Sequence, residues 1–166
     1  MKTTTRLLLT ACLALPLLAA CKKEEAAPTA VVAAPLTAPT TADDAAWRAY
    51  VSDVVTRNME GISNQPYVYY LPAATGDEAT DTGNYERLLD KAKTDVARGI
   101  IRGNMLAYAS SDSAKMADIV TQSFADVAPD TMKGVRVVFI GSAADQARVT
   151  EAVTPAGVDF IFVEAR

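Results

Sequence analysis

Four short runs rich in Val, Ile, Phe and Tyr, at residues 67–71, 105–109, 135–140 and 158–163, alternate with amphipathic stretches, and this alternation limits the fold more than any other feature. Each run has the length and the β-branched or aromatic content of a strand. The stretches between them carry apolar residues at helical spacing. Tyr85, Leu88, Leu89, Ala92 and Val96 form one such face, ending near Gly99; Met116, Ile119, Val120, Phe124 and Val127 form the next; a shorter helix is expected over 143–153. The order reads β-α-β-α-β-α-β. Nearly continuous apolar strands need cover on both faces, which a parallel sheet with crossover helices supplies. With right-handed crossovers, the expectation is an α/β fold: a small three-layer sandwich around a four-stranded, mostly parallel sheet, with strand order 2-1-3-4.

Another helix precedes the first strand. Asp43-Asp44 is suited to capping it, and Trp47, Tyr50, Val51, Val54, Val55 and Met59 follow the i, i+3, i+4, i+7 spacing up to Gly61. Its wide apolar face either covers the core or offers Trp47 and Tyr50 to a partner, and core packing is the simpler reading.

In open parallel sheets, ligands bind outside the carboxyl ends of the strands. Three loops are expected there: 72–84 (PAATGDEATDTGN), 110–113 (SSDS) and 141–145 (GSAAD). Serines and backbone amides at a helix start suit an anion, so Ser110, Ser111, Asp112, Ser142 and Asp145 are the candidate ligand-binding residues. The same residue types are also the preferred helix caps, needing no ligand, and Asp112 and Asp145 would compete with an anion for the amides. In and just after the long loop, Asp77, Glu78, Asp81 and Glu86 raise calcium as a question. An EF-hand pattern does not fit, and a solvated acidic loop is the better reading. No metal ligand and no cofactor are assigned.

Two absences narrow the chemistry. The chain has no histidine, and its only cysteines are Cys12 and Cys21, both near the amino terminus. A Ser-His-Asp triad, a Cys-His pair, a His or Cys metal site and a structural disulfide are therefore all excluded from the folded part. Phosphate-loop, dinucleotide and nucleophile-elbow motifs are missing as well. Catalysis would fall to carboxylates, and nothing in their spacing singles out a pair, so no catalytic residue is assigned.

The amino terminus is built for export. Lys2 and Arg6 precede an apolar run over 7–18, about a dozen residues and short of the roughly 20 that span a bilayer. Leu18-Ala19-Ala20-Cys21 follows and resembles the lipobox of bacterial lipoproteins. That resemblance covers residues 1–21. It implies cleavage after residue 20, acylation of Cys21 and anchoring by several acyl chains, effectively permanent at about 0.8 kcal/mol per buried methylene. It also implies that Lys22, standing where aspartate favours inner-membrane retention, directs the protein to the outer membrane on its periplasmic side. Residues 21–42 then form an Ala/Pro/Thr-rich tether containing Pro28, Pro35 and Pro39, and residues 43–166 form a single domain. About 20 residues reach at most roughly 65 Å when extended and nearer 25 Å as a coil.

The whole chain carries −4; without Lys2 and Arg6 it has 14 basic against 20 acidic residues. That balance speaks against nucleic acid and against electrostatic adhesion of the whole molecule to an anionic surface. The partners expected are the membrane, through the amino-terminal lipid, and a protein of the envelope. The function expected is non-catalytic binding or assembly, an inhibitor or immunity role being one concrete form. A small-ligand or anion binder using the strand-end loops is the first alternative, and a carboxylate hydrolase the second.

Overall fold

The computed structural model describes residues 34–165. The expected signal segment, Cys21 and most of the expected tether lie outside the described residues. Helix α1 (Asp44–Arg57) leads to strand β1 (Tyr67–Leu71), followed by α2 (Glu78–Ala97), β2 (Met105–Ser110), α3 (Ser113–Phe124), β3 (Arg136–Gly141), α4 (Ala143–Val153), a one-turn 3-10 helix (Thr154–Ala156) and β4 (Asp159–Glu164). All three strand pairings are parallel, giving an α/β fold with helices between the strands.

The sheet order is β1-β2-β3-β4, not 2-1-3-4. The physical reason is α1. Each strand adds beside its predecessor, so right-handed crossovers keep α2, α3 and α4 on one face. A reversed first crossover would have been needed to cover the other face, but α1 already covers it.

Strand alternation divides the core accordingly. Tyr69, Leu71, Leu106, Tyr108, Val137 and Phe139 meet α2, α3 and α4. Met105, Ala107, Ala109, Val138 and Ile140 meet Trp47, Tyr50, Val51, Val54 and Val55 of α1. Trp47 and Tyr50 are therefore core residues, buried on the sheet. Every β2 residue is buried, as a central strand covered on both faces requires.

Two boundaries differ from expectation. Helix α2 begins at Glu78, so the loop after β1 ends near Asp77 instead of running to residue 84. Its first turns lack an apolar face and are held by Asp81, whose carboxylate accepts from the Thr75 N–H at 2.8 Å, the Thr75 hydroxyl at 2.9 Å and the Gly76 N–H at 3.1 Å. The backbone bonds from the 75–76 turn hold this carboxyl below its usual range. Residues expected to be tether also join the domain. The Leu36 N–H donates to Asp53 Oδ2 at 3.0 Å, Ala38 packs against the α1-side core, and the Trp47 indole donates to the Thr41 carbonyl at 2.9 Å.

Candidate functional site

The strand-end loops of β2 and β3 come together at the carboxyl edge of the sheet, where the candidate residues were expected. Ser110 is buried at the end of β2. Its hydroxyl donates to the Leu71 carbonyl of β1 at 3.0 Å and accepts from the Asp112 N–H at 2.9 Å. Asp112 caps α3, accepting from the Lys115 N–H at 3.1 Å. Ser142 caps α4, accepting from the Ala144 N–H at 3.2 Å. Ser111 is exposed beside them.

The residue that ties the two loops together is Ser113. Its hydroxyl donates to Asp145 Oδ2 at 2.6 Å and accepts from the Ser142 N–H at 2.8 Å. Arg148, one turn into α4, donates to Asp145 Oδ1 through Nε at 3.0 Å and Nη2 at 2.8 Å, and to the Ala114 carbonyl at 2.7 Å. It also pairs with Asp118 on α3. Burial disfavours the guanidinium, but its bonds to Asp118 and Asp145 outweigh this and raise its pKa.

Gly141 makes the approach possible: a Cβ there would stand 2.6 Å from Ser113 Oγ and 2.8 Å from the Phe139 ring. A hollow of about 360 Å³ lies over these loops, and residues 39–42 form its other wall. The amides of Asp112, Lys115, Ser142, Ala144 and Asp145 are engaged within the protein. What the arrangement does chemically is cross-link two helix starts. Ser142 and Asp145 take part in that link through Ser113, whereas Ser110 ties the end of β1 to the α3 cap and Asp112 caps α3 itself. The sheet order adds a geometric reason, because a monotonic 1-2-3-4 sheet has no point where strand order reverses to open a crevice.

The third loop does not join this set. Asp77, Glu78 and Asp81 lie at the start of α2, and a shallow hollow of about 520 Å³ separates them from Lys115 and Asp118 of α3. Among the described residues, no group of three or more carboxylates is arranged to hold a metal ion.

Ser113, Asp118 and Arg148 were not singled out from the sequence. Ser113 was visible as part of the SSDS turn, but Asp118 and Arg148 lie 30 residues apart and no local pattern joins them. A second unforeseen network lies on the α2 side. Tyr69 and Tyr108 stack with ring centres 4.7 Å apart, and the Tyr69 hydroxyl donates to Asp95 at 3.0 Å. Lys91 donates to the same oxygen at 2.6 Å. The buried Tyr108 hydroxyl has no protein hydrogen-bond partner. Burial pushes both phenols far above their ordinary range.

The chain matches no family model, no curated protein and no solved structure.

Proposed function

We propose that this chain is a lipid-anchored envelope protein, held on the periplasmic side of the outer membrane, whose α/β domain binds a protein partner and does not act as an enzyme. The observation that carries this reading is the Leu18-Ala19-Ala20-Cys21 sequence after a short apolar run, with Lys22 next to it. The strand-end loops support the binding part of the reading from the other side. Their Ser, Asp and Arg groups are committed to one another, which leaves recognition to the surface of the domain.

A face suited to a protein segment lies beside α1. Among the described residues, edge strand β1 has only β2 as a neighbour, and its outward backbone groups are a template for strand addition. Val68 on that strand is 44% exposed. Next to it an apolar hollow of about 490 Å³ is lined by Val51, Val55, Met59, Pro66, Val68 and Tyr70. An extended apolar segment pairing with β1 would cover Val68 and place alternate side chains in the hollow.

Fractionation tests the anchor. Cys21→Ser is expected to move the exported protein from membranes to the soluble periplasm, and a variant that stays with membranes would overturn it. Cross-linking in cells from a photoreactive residue at Val68 tests the binding face. A discrete, stoichiometric adduct lost in Val55→Asp is expected; no adduct from Val68, with the variant still folded, would remove this face from the proposal.

A further inference from the structure

The opposite end of the sheet carries a surface of different character. Residues 91–103 (KAKTDVARGIIRG) close α2 and lead into β2, with four basic side chains and one carboxylate, Asp95, which is already bonded to Lys91 and Tyr69. Two adjacent isoleucines in this segment part company. Ile100 is 6% exposed and belongs to the core, whereas Ile101 is 72% exposed.

Ile101 is held outward by a built turn. Gly99 and Gly103 bracket it with φ of 86° and 83°, a backbone region that favours glycine. Buried Asn104 donates to the Ile101 carbonyl through Nδ2 at 2.8 Å, and the Gly103 N–H donates to the Gly134 carbonyl at 2.9 Å. Arg98 precedes the isoleucine with its side chain 76% exposed and only loosely paired, 4.0 Å from Asp95 Oδ1, and Arg102 follows it. Arg102 lies over Gly134, where an added Cβ would meet its Cγ at 2.8 Å; the neighbouring Lys133 turns instead toward Gly157 and pairs with Asp130 at 3.2 Å.

The first described residues run along α1 toward this end. Going backward from Thr41, which is bonded to Trp47, to Leu36, which is bonded to Asp53, the backbone follows α1 toward its carboxyl end. That end lies at the start of β3, where Arg136 binds the Asn58 and Glu60 carbonyls at 2.7 and 2.8 Å. By contrast, Asp43, Asp44, Asp77, Glu78, Asp81 and Asp112 stand at the far edge, beyond the carboxyl ends of the strands. Other carboxylates share the end that bears the turn: Asp126 lines a hollow with Gly99 and Ile100, Asp130 is paired with Lys133 and Asp159 with Arg136.

We propose that the 98–103 turn is a membrane-contact site. Ile101 inserts at the headgroup level of an anionic phospholipid surface, Arg98 and Arg102 meet lipid phosphates, and the domain stands on the bilayer with the amino-terminal edge of its sheet downward. An amphipathic contact of this kind gains from apolar insertion together with attraction to anionic lipid. One projecting isoleucine among cations is far smaller than the roughly 800 Å² per partner of a stable protein interface, which favours a lipid surface as the occupant. So small a contact needs help. A tether supplies it by holding the turn at a high effective concentration near the bilayer, and to that extent the proposal rests on the lipid-anchored reading.

The test supplies the anchor artificially. The chain beginning at Cys21, its single remaining cysteine, is coupled through that thiol to a maleimide lipid in vesicles of phosphatidylglycerol and phosphatidylcholine, or of phosphatidylcholine alone, and backbone hydrogen exchange is followed. On the anionic vesicles, exchange over 98–104 is expected to slow about tenfold, with little change on the neutral ones. Ile101→Ser and the double variant Arg98→Glu/Arg102→Glu, each checked for an unchanged unfolding midpoint, are expected to lose the effect. Unchanged exchange at 98–104 on anionic vesicles, equal slowing on both vesicle types, or slowing that requires added membrane protein would each overturn the proposal. Mass spectrometry of the amino-terminal peptide from cells reports natural acylation of Cys21 separately, so failure of the anchor and failure of the turn are read independently.

Discussion

Ser113 donates its hydroxyl to Asp145 across 2.6 Å, joining the first turn of α3 to the first turn of α4 over a separation of 32 residues. The same oxygen accepts the Ser142 N–H, so one side chain serves both loops. Ser113→Ala leaves the carboxylate and the amide without that partner and is expected to destabilise the domain by about 1–3 kcal/mol. Urea denaturation measures it. A midpoint equal to that of the parent would show that the loops are held by packing alone.

Gly141→Ala probes the same junction sterically. The added methyl would stand 2.6 Å from Ser113 Oγ and 2.8 Å from the Phe139 ring, and both neighbours are confined. A loss of about 1–3 kcal/mol is expected from overpacking. Combining it with Ser113→Ala should cost less than the sum of the two, because the hydroxyl it strikes is then gone.

Most of the fold was legible in the sequence, for reasons visible at particular residues. Val137, Val138, Phe139 and Ile140 are apolar on consecutive positions because β3 is buried on both faces, and that pattern survives without any knowledge of neighbours. Strand order was not legible, since the cover that α1 gives the second face is a tertiary fact. The start of α2 was hidden because Glu78-Ala79-Thr80-Asp81-Thr82-Gly83 has polar turn composition, and Asp81 stabilises it by reaching back to Thr75 and Gly76. Within the candidate site, Asp112 and Ser142 could be read as caps from local chemistry alone. Arg148 could not, for its partners Asp118 and Ala114 come from another helix.

Two stacked tyrosines give a prediction of opposite signs. The Tyr108 hydroxyl is buried and without a protein partner, so Tyr108→Phe removes a desolvated polar group and is expected to be neutral or stabilising by up to about 1 kcal/mol. Tyr69→Phe instead removes a donor to Asp95 and is expected to cost about 1 kcal/mol. Thermal unfolding of the two variants separates them, and equal shifts would contradict the assigned bonding.

Asp95 makes stability depend on pH. Burial raises its pKa, but bonds from Lys91 and Tyr69 outweigh this, and the net shift is below the ordinary value of 3.8. A carboxylate with a depressed folded pKa stabilises the protein above its unfolded pKa, and that contribution disappears as pH falls through the folded value. Asp95→Asn is therefore expected to cost about 1–2 kcal/mol at neutral pH, with the gap closing below about pH 4. Denaturation at a series of pH values tests the sign; a gap that widened in acid would refute it.

The boundary between tether and domain can be tested by deletion. Composition places it at residue 42, whereas the contacts of Leu36, Ala38 and Thr41 place it nearer residue 34. Removing residues 34–41 takes away the acceptor of the buried Trp47 indole, the N–H bonded to Asp53, and cover over the α1-side core. An orphaned buried donor alone costs about 1–3 kcal/mol. Removing eight residues from within 22–33 shortens the chain equally and touches none of these contacts. The first deletion is expected to lower the unfolding free energy by about 2–4 kcal/mol, and the second to leave it unchanged. Equal stabilities would return 34–41 to the tether, whereas the expected difference makes it a strap that fastens α1 to the sheet and fixes where the chain leaves the domain.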